Sequence, residues 1–307
     1  MNDSTFFERR NGELFRSTDT GKNWTQLNNI LPYLGNIVMS GSVLYASGNY
    51  CIARSTDNGN NWKIDTLGLA VDTSDPNTRY ESQTPPLVVS GGNVLTVIQK
   101  QASPYTGVNV VFKLTNSQQQ WTSVGTFTDG PLNFSAASNL VVAEPFSSSG
   151  GVQISTDNGN SWNSSGPIVP NYRSINSVAA IGTTVLAGST VLSNGGLYLS
   201  TNGGNTWSDT SLLYNPECLS VISGNIIAGT DGGIAISSNN GSSWSYAISP
   251  CSKIGIDWLA ADGSNVFAGN YGSLIHSTNG GITWAIPDSS TFINLHGLAV
   301  SDHSVFA

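Results

Sequence analysis

The chain alternates short apolar runs with polar, glycine-containing turns along its whole length. In GSVLYASGNYCIARS (41–55) and GNIIAGTDGGIAIS (224–237), apolar side chains recur at every second position on either side of a turn, and SNVFAGNYGSLIHS (264–277) repeats the pattern. A period of two, interrupted by Gly, Asn and Asp, is typical of antiparallel strand pairs. The pattern therefore predicts an all-β protein built from many short hairpins.

An eight-residue motif, S-x-[DN]-x-G-x-x-W, follows these hairpins, and we call it the box. It occurs six times, and a seventh copy, LTNSQQQW, keeps only the Asn and the Trp. The Asp or Asn accepts hydrogen bonds from N–H groups of its own turn, the Gly provides a positive φ, and the Trp suits packing between sheets. We therefore assign a structural role to the acceptor and tryptophan positions, which are Asp19, Asp57, Asp157, Asn202, Asn239, Asn279, Trp24, Trp62, Trp121, Trp162, Trp207, Trp244 and Trp284.

The spacing of the boxes predicts the architecture. Their first residues are 17, 55, 114, 155, 200, 237 and 277, so neighbouring boxes lie 37 to 45 residues apart, except for one interval of 59. A repeat of about 40 residues fits a four-stranded propeller blade. The long interval predicts an insertion at residues 65–83, with a second bulge near 100–109.

The two ends of the chain complement each other. The chain begins at the third strand of a repeat (GELFRSTD) and stops after a second strand (LHGLAVSDHSVFA). We therefore expect one domain over residues 1–307, a seven-bladed β-propeller of four-stranded antiparallel blades. In this prediction the N- and C-terminal strands share one blade and close the ring without exposed sheet edges.

The boxes resemble the Asp-box (BNR) repeat of sialidases, seven-bladed xyloglucanase-type hydrolases, sortilin-like receptors and the photosystem II assembly factor family. The resemblance covers essentially the whole chain and implies a propeller whose boxes lie far from the ligand-binding face. Sialidases use an arginine triad and an Arg-Ile-Pro signature, whereas this chain has six arginines, no Arg-Ile-Pro, and Arg16 and Arg54 directly before boxes. The basic patch of the photosystem family has no counterpart among eleven dispersed cations. Neither specific activity is therefore expected.

Composition and charge exclude several function classes. The net charge is −8 and the pI is about 4.6, without a basic run, so a nucleic-acid partner is not expected. No apolar run approaches the roughly 18 to 20 residues of a membrane span, and MNDSTFFERRNG lacks the apolar core of a signal peptide. Little Lys and much Ser, Thr and Asn favour an extracellular or periplasmic location, as a module of an exported bacterial protein.

Cofactor and metal sites are not expected. The chain has no phosphate loop, dinucleotide fingerprint, Gly-x-Ser-x-Gly elbow or His-Glu-x-x-His motif, and it has only three histidines. Of its three cysteines, Cys51 is expected to pack as a small buried thiol. The sequence leaves open whether Cys218 and Cys251 form a disulfide or are free.

Candidate chemistry lies on the face opposite the boxes. Because each box joins strands three and four, the links from strand two to three and from strand four to the next blade lie at the other end of the sheet. Three consecutive blades begin with Glu217, Asp257 and His296, and these are the candidate catalytic residues. Trp258, which is the only Trp outside a box, is adjacent to them. If Glu217 and Asp257 act as a catalytic pair, a separation of about 5 Å between their carboxylates would suit a retaining glycosidase and about 9 Å an inverting one. Alternatively, these charged side chains only solvate the channel or bind ordered water.

Aromatic and polar residues of the same loops suit a carbohydrate, whose C–H faces stack on rings. Turns between strands two and three contribute Asp231 among others. The candidate ligand-binding residues are Trp258, Tyr172, Arg173, Tyr214, Arg79, Tyr80 and Tyr271. The leading hypothesis is a monomeric, non-catalytic binding or scaffolding propeller that recognises carbohydrate or protein. The alternatives are a glycoside hydrolase or polysaccharide lyase, and a purely structural spacer.

Overall fold

The structure is a computed structural model of the 307-residue chain. It describes residues 6–10, 13–17, 23, 25–27, 35–48, 51–65, 67–69, 85–103, 106–115, 120–127, 131–137, 139–145, 151–165, 168, 175, 177–189, 196–247, 255–262, 264–270, 273–286, 299–301 and 304–306.

These residues form strands, numbered here in chain order, and the prediction of an all-β fold is confirmed. The strands are β1 (Phe6–Arg10), β2 (Glu13–Ser17), β3 (Thr25–Gln26), β4 (Ile37–Ser40), β5 (Val43–Gly48), β6 (Cys51–Ser55), β7 (Lys63–Ile64), β8 (Leu87–Ser90), β9 (Asn93–Ser103), β10 (Thr106–Leu114), β11 (Thr122–Phe127), β12 (Pro131–Ala137), β13 (Leu140–Pro145), β14 (Gln153–Ser155), β15 (Asn163–Ser164), β16 (Ser177–Ile181), β17 (Thr184–Ser189), β18 (Gly196–Ser200), β19 (Ser208–Asp209), β20 (Pro216–Ile222), β21 (Asn225–Thr230), β22 (Gly233–Ser237), β23 (Ser245–Tyr246), β24 (Trp258–Asp262), β25 (Asn265–Asn270), β26 (Ser273–Ser277), β27 (Ala299–Ser301) and β28 (Ser304–Phe306). In this part of the chain no helix is long and apolar enough to cross a membrane.

Six sheets are propeller blades, each formed by consecutive strands of one stretch of chain. Blades 1 to 5 are β4–β7, β8–β11, β12–β15, β16–β19 and β20–β23, and each has four antiparallel strands. Blade 6 consists of β24–β26, and an isolated antiparallel bridge between His276 and Ala285 stands in the place of a fourth strand. The predicted four-stranded antiparallel blade is therefore confirmed.

The two ends of the chain share one further sheet, as predicted, but its build differs from the prediction. This terminal sheet has five strands in the order β27-β28-β1-β2-β3. The segment FFERR forms the additional strand β1, which pairs antiparallel with β2 and lies between β2 and β28. Because of this insertion, Phe7 pairs with Phe306 in a parallel arrangement. The prediction of a seven-bladed propeller is therefore wrong: the described residues form six blades and a terminal sheet of different build.

The first strands of the blades contact one another in a closed cycle. β4 contacts β8, β8 contacts β12, and the series continues through β16, β20 and β24 to β27, which contacts β4 again. The terminal sheet thus lies between blade 6 and blade 1. This arrangement around a central axis is a β-propeller.

The predicted insertion is visible in part. Blade 2 contains the longest described hairpin, in which the eleven-residue β9 pairs with β10 out to Ser103 and Thr106. This extension occupies the predicted bulge near 100–109. Most of the predicted insertion at 65–83, residues 70–83, lies outside the described residues.

Apolar layers between neighbouring blades form the core, and the box tryptophans belong to them. Trp121 and Trp284 are buried, and four further box tryptophans are partly buried and pack against the same layers, namely Trp62, Trp162, Trp207 and Trp244. These six tryptophans thus lie in the layers between the blades. Trp24 and Asp19 lie outside the described residues.

The box around Asp157 shows how the turn is held. Ser155 Oγ donates to Asp157 Oδ1 at 2.8 Å, and it accepts a hydrogen bond from Gly159 N at 2.8 Å. Asp157 Oδ1 also accepts a bond from Ser161 N at 2.9 Å, while Gly159 has a φ of +80°. The bonds of the Ser and the Asp or Asn recur in the boxes of Asp57, Asn202, Asn239 and Asn279.

The box glycine also joins its blade to the preceding one. A Cβ on Gly204 of blade 4 would lie 1.9 Å from Ile154 Cδ1 of blade 3, and a Cβ on Gly159 of blade 3 would lie 2.0 Å from Leu95 Cδ2 of blade 2. The bare backbone of the turn therefore packs directly on an apolar side chain of its neighbour. The boxes fix both the turn and the contact between blades.

Candidate ligand-binding face

The boxes and the functional candidates lie at opposite ends of the blades. Three box turns contact the turn between strands one and two of their own blade, through hydrogen bonds from Asn158 N to Asn139 O at 2.9 Å, from Gly203 N to Thr183 O at 2.9 Å and from Gly280 N to Ser264 O at 2.8 Å. The links from strand two to three and from strand four to the next blade are therefore at the other end, as strand alternation requires. We call that end the loop face.

Glu217 and Asp257 lie on neighbouring blades at this face. Glu217 is the second residue of β20, where the pairing with β21 shifts between Pro216 and Cys218. Asp257 directly precedes β24 and donates its backbone N–H to Gly269 O at 2.9 Å. Partial burial raises the pKa of Glu217, and the negative charges of Asp257 and Asp231 raise it further. The structure thus brings together three interacting carboxylates, and we call Glu217, Asp231 and Asp257 the acidic group.

Asp231 connects two loops of this face. Its carboxylate accepts hydrogen bonds from Asn215 N and Asn215 Nδ2, both at 3.0 Å, and its own N–H donates to Asn215 O at 3.2 Å. Asn215 belongs to the link from blade 4 to blade 5, whereas Asp231 belongs to the turn between β21 and β22. Three bonds between the same two residues fix the link against the turn.

Tyr214 lies on this fixed link. Its ring covers the backbone of Gly232 so closely that a Cβ there would come within 2.4 to 2.6 Å of three ring carbons. The ring of Tyr246 meets it edge to face, with centroids 5.4 Å apart. Leu213 is 81% exposed, Tyr214 46% and Tyr246 38%. We call these three residues the tyrosine patch.

Trp258 and Cys218 contribute less to this surface. Trp258 is partly buried and pairs with Gly269 on the adjacent strand. Cys218 is a free thiol whose Sγ lies 3.6 Å from Ile256 O, and burial raises its pKa strongly. The disulfide that the sequence left open is therefore not formed. Cys51 is also free and packs against an apolar layer, but it is only partly buried, whereas a buried thiol was expected.

Several candidates from the sequence cannot be placed in this site. His296, Tyr172, Arg173, Arg79, Tyr80 and Tyr271 lie outside the described residues. Their roles stay predictions. Among the described residues, no group of three or more His, Cys, Asp or Glu is arranged to hold a metal ion.

Sequence reasoning missed Leu213 and Tyr246. Tyr246 follows the box Trp244 by two positions, on the short outer strand β23, where the repeat pattern suggests no function. Two signals were present in the sequence. An aromatic residue stands at this outer position, and Leu212, Leu213 and Tyr214 form a short apolar run in the link between blades 4 and 5.

Comparisons with known proteins support the fold. No protein-family model matches the chain, and no curated protein is significantly similar to it. The structure is similar to that of YCF48 from Cyanidioschyzon merolae, at 18% identity and a TM-score of 0.59 over 87% of this chain and 88% of that one. It is similar to a YCF48 bound to D1 peptide, at 17% identity and a TM-score of 0.61 over 88% and 86%. It is also similar to the computationally designed Ika8 protein, at 11% identity and a TM-score of 0.64 over 99% and 93%. At these identities the likeness concerns the propeller fold alone.

Proposed function

We propose that the protein is a binding or scaffolding β-propeller that holds its ligand on the loop face of blades 5 and 6. The observation that carries this proposal is the tyrosine patch, an exposed and pre-positioned aromatic surface beside three carboxylates. A ring that is already held against Gly232 loses little freedom when a ligand stacks on it. Tyrosine offers a large apolar area together with a polar tip, which suits either a sugar face or a peptide side chain.

The comparisons are compatible with this role without assigning it. One propeller of similar fold, a YCF48, is described as bound to D1 peptide. A fold of this kind can therefore present a peptide site. The proposal for the present chain depends on its own residues.

The finer expectations from the sequence are part of this proposal. We take residues 1–307 as one Asp-box domain, acting as a monomer. The composition, with few lysines and many Ser, Thr and Asn residues, favours an extracellular or periplasmic location as a module of an exported bacterial protein.

A pair of arrays tests the binding role. The purified protein is applied to a glycan array and to a peptide array, together with Tyr214→Ala and with Ile64→Ala, which removes a side chain of similar exposure on blade 1. We expect Tyr214→Ala to weaken capture by about tenfold or more, since aromatic anchors dominate binding sites, while Ile64→Ala binds as the parent does. Equal capture by all three proteins would refute the location of the site.

A glycoside hydrolase or lyase is the second candidate, and the raised pKa of Glu217 is the observation that favours it. A carboxyl that stays protonated to a higher pH can serve as a general acid beside an ionised partner. Labelled oligosaccharides incubated with the parent protein and with Glu217→Gln, Asp257→Asn decide the matter. If the parent protein turns over a substrate and the double variant does not, the result supports catalysis. If the parent shows no turnover, the hydrolase or lyase proposal is refuted and only the binding role is left.

A further inference from the structure

Charge is distributed unequally between the two halves of the propeller. Residues 174–307, which contain blades 4 to 6, include seven Asp and Glu but only one cation, Lys253. Residues 1–173 include twelve Asp and Glu with ten Lys and Arg. Most of the net charge of −8 therefore arises from the half that holds the tyrosine patch. A field of one sign over one side of a protein selects and steers partners of the opposite sign.

The loop face concentrates this charge beside the patch. The described segments of this face on blade 5 and at the start of blade 6, residues 211–217, 230–233 and 255–258, contain the whole acidic group and no Lys or Arg. Asp231 is held by Asn215, but no described residue donates a hydrogen bond or forms an ion pair with the carboxylate of Glu217 or Asp257. The mutual repulsion of these carboxylates is a free-energy cost that a bound cation would remove.

The apolar part of the surface favours a cationic side chain with an apolar stem over a simple ion. The side chain of Leu213 is mostly exposed, and the ring of Tyr214 lies one residue along the chain. Lys and Arg carry an apolar stem that packs on such a surface, and their charged ends reach nearby carboxylates or a ring face. A neutral sugar would cover the rings but leave the carboxylates uncompensated, and an acidic partner would be repelled.

We propose that the tyrosine patch and the acidic group together form a docking surface for a Lys- or Arg-rich segment of a protein partner. This inference rests on the proposed binding function and narrows its ligand to one class. The stems and neighbouring apolar side chains of the segment lie on Leu213 and Tyr214, while its ammonium or guanidinium groups face Glu217 and Asp257.

The test uses two fluorescent peptides of about 12 residues, in which Leu, Ser and Gly separate either four Lys or four Glu. Binding to the full chain is followed by fluorescence anisotropy at about 50 and about 300 mM salt. We expect the lysine peptide to bind and the glutamate peptide not to bind, with affinity falling several-fold at the higher salt. Glu217→Gln with Asp257→Asn, and separately Tyr214→Ala, should each weaken binding by about tenfold or more.

Two further variants make the test specific. Asp262→Asn removes one carboxylate at the last residue of β24, at the end of the strand that faces the boxes, whereas Asp257 directly precedes β24 at its other end. Asp262→Asn should therefore change affinity less than about twofold. Leu213→Ser alters a side chain that is 81% exposed, so it should weaken binding without affecting folding, even if Tyr214→Ala lowers the melting temperature.

Three results would overturn the inference. Equal loss of affinity in Asp262→Asn would show attraction to net charge without a site, and equal binding of both peptides would remove the role of charge. If the lysine peptide does not bind but an array captures a neutral glycan or another peptide through Tyr214, the inference fails and the proposed function stands. If no glycan or peptide, on the arrays or in solution, binds in a way that Tyr214→Ala weakens, both the inference and the proposed function fail.

Discussion

Replacing Asp157 tests whether the boxes work through the hydrogen bonds described above. The carboxylate accepts bonds from Ser155 Oγ at 2.8 Å, Ser161 N at 2.9 Å and Ser161 Oγ at 2.6 Å. Ser155 is fully buried, so Asp157→Ala leaves its hydroxyl without an acceptor. Water reaches the outer part of the carboxylate and replaces part of what is lost. We therefore expect Asp157→Ala to lower the free energy of unfolding by about 1 to 3 kcal/mol.

The chain supplies its own control for this substitution. In the box of Asn239, the amide Oδ1 accepts from Ser243 N at 2.9 Å, and Nδ2 donates to Ser243 Oγ at 2.8 Å. Asp157→Asn can form the same pair of bonds with Ser161. We expect it to cost less than about 1 kcal/mol, because only the charge is lost.

The charge itself should appear as a dependence on pH. Burial alone would raise the pKa of Asp157, but the hydrogen bonds from Ser161 and Ser155 outweigh it and lower the pKa from 3.8 to about 2. A group whose pKa is lowered by folding stabilises the fold above its unfolded pKa and loses that contribution as the pH falls through its folded pKa. The parent protein should therefore have a higher free energy of unfolding than Asp157→Asn at pH values above about 4, and this difference should disappear as the pH falls toward about 2.

Urea denaturation of the three proteins across this pH range measures these differences. Two outcomes contradict the argument: Asp157→Asn as damaging as Asp157→Ala at neutral pH, or Asp157→Ala as stable as the parent. In either case the hydrogen bonds of the box would not be what holds the turn.

Three further predictions concern stability. Glu217→Gln should stabilise the protein at neutral pH, because the raised pKa of Glu217 means that its ionised form opposes folding, and the gain should disappear in denaturation curves below the unfolded pKa of a glutamate. Gly204→Ala should lower the free energy of unfolding, measured by urea denaturation, by about 1 to 3 kcal/mol, because its Cβ would lie 1.9 Å from Ile154 Cδ1. The control is Gly224→Ala, which has a similar φ but no neighbour within 4 Å, so it should lose only the smaller amount due to backbone strain. Deleting residues 299–307 should lower the melting temperature in calorimetry more than any of these substitutions, because it uncovers strand edges; an unchanged melting temperature would show that the terminal sheet is dispensable.

The repeat made most of the fold predictable. In every box that the structure describes with its own Ser, such as those of Asp57 and Asn279, the sequence motif alone determines the turn, because its hydrogen bonds and positive φ values are local. The spacing of these turns then gives the four-stranded blade. The terminal sheet was misjudged because the N-terminal strands were placed from the spacing of the boxes alone. Asn11-Gly12 directly follows FFERR and is a dipeptide typical of two-residue hairpin turns, so the sequence does mark FFERR as a strand that pairs with β2.

The candidate site was predictable only in part. Glu217 and Asp257 were found because a charged residue at the start of a first strand departs from the repeat, and their proximity follows from blade order. The contact between Tyr214 and Tyr246 depends on how the link between blades crosses Gly232, and no periodicity encodes that path. Contacts between loop residues that are distant in sequence, such as this one, could therefore not be predicted from the sequence.

The pairing of β1 with β28 has a consequence for the order of folding. Each blade is made of hairpins between neighbouring segments, so its contacts can form as soon as those segments exist. Phe7 and Phe306, in contrast, come from opposite ends of the chain, and closing a loop of that length is entropically costly and slow. Until residues 299–301 arrive, blades 1 and 6 both lack β27, the strand against which their first strands pack. The ring should therefore close last. The intermediate before closure has folded blades but exposes the first strands of blades 1 and 6, and this is the species that chaperones bind or that aggregates.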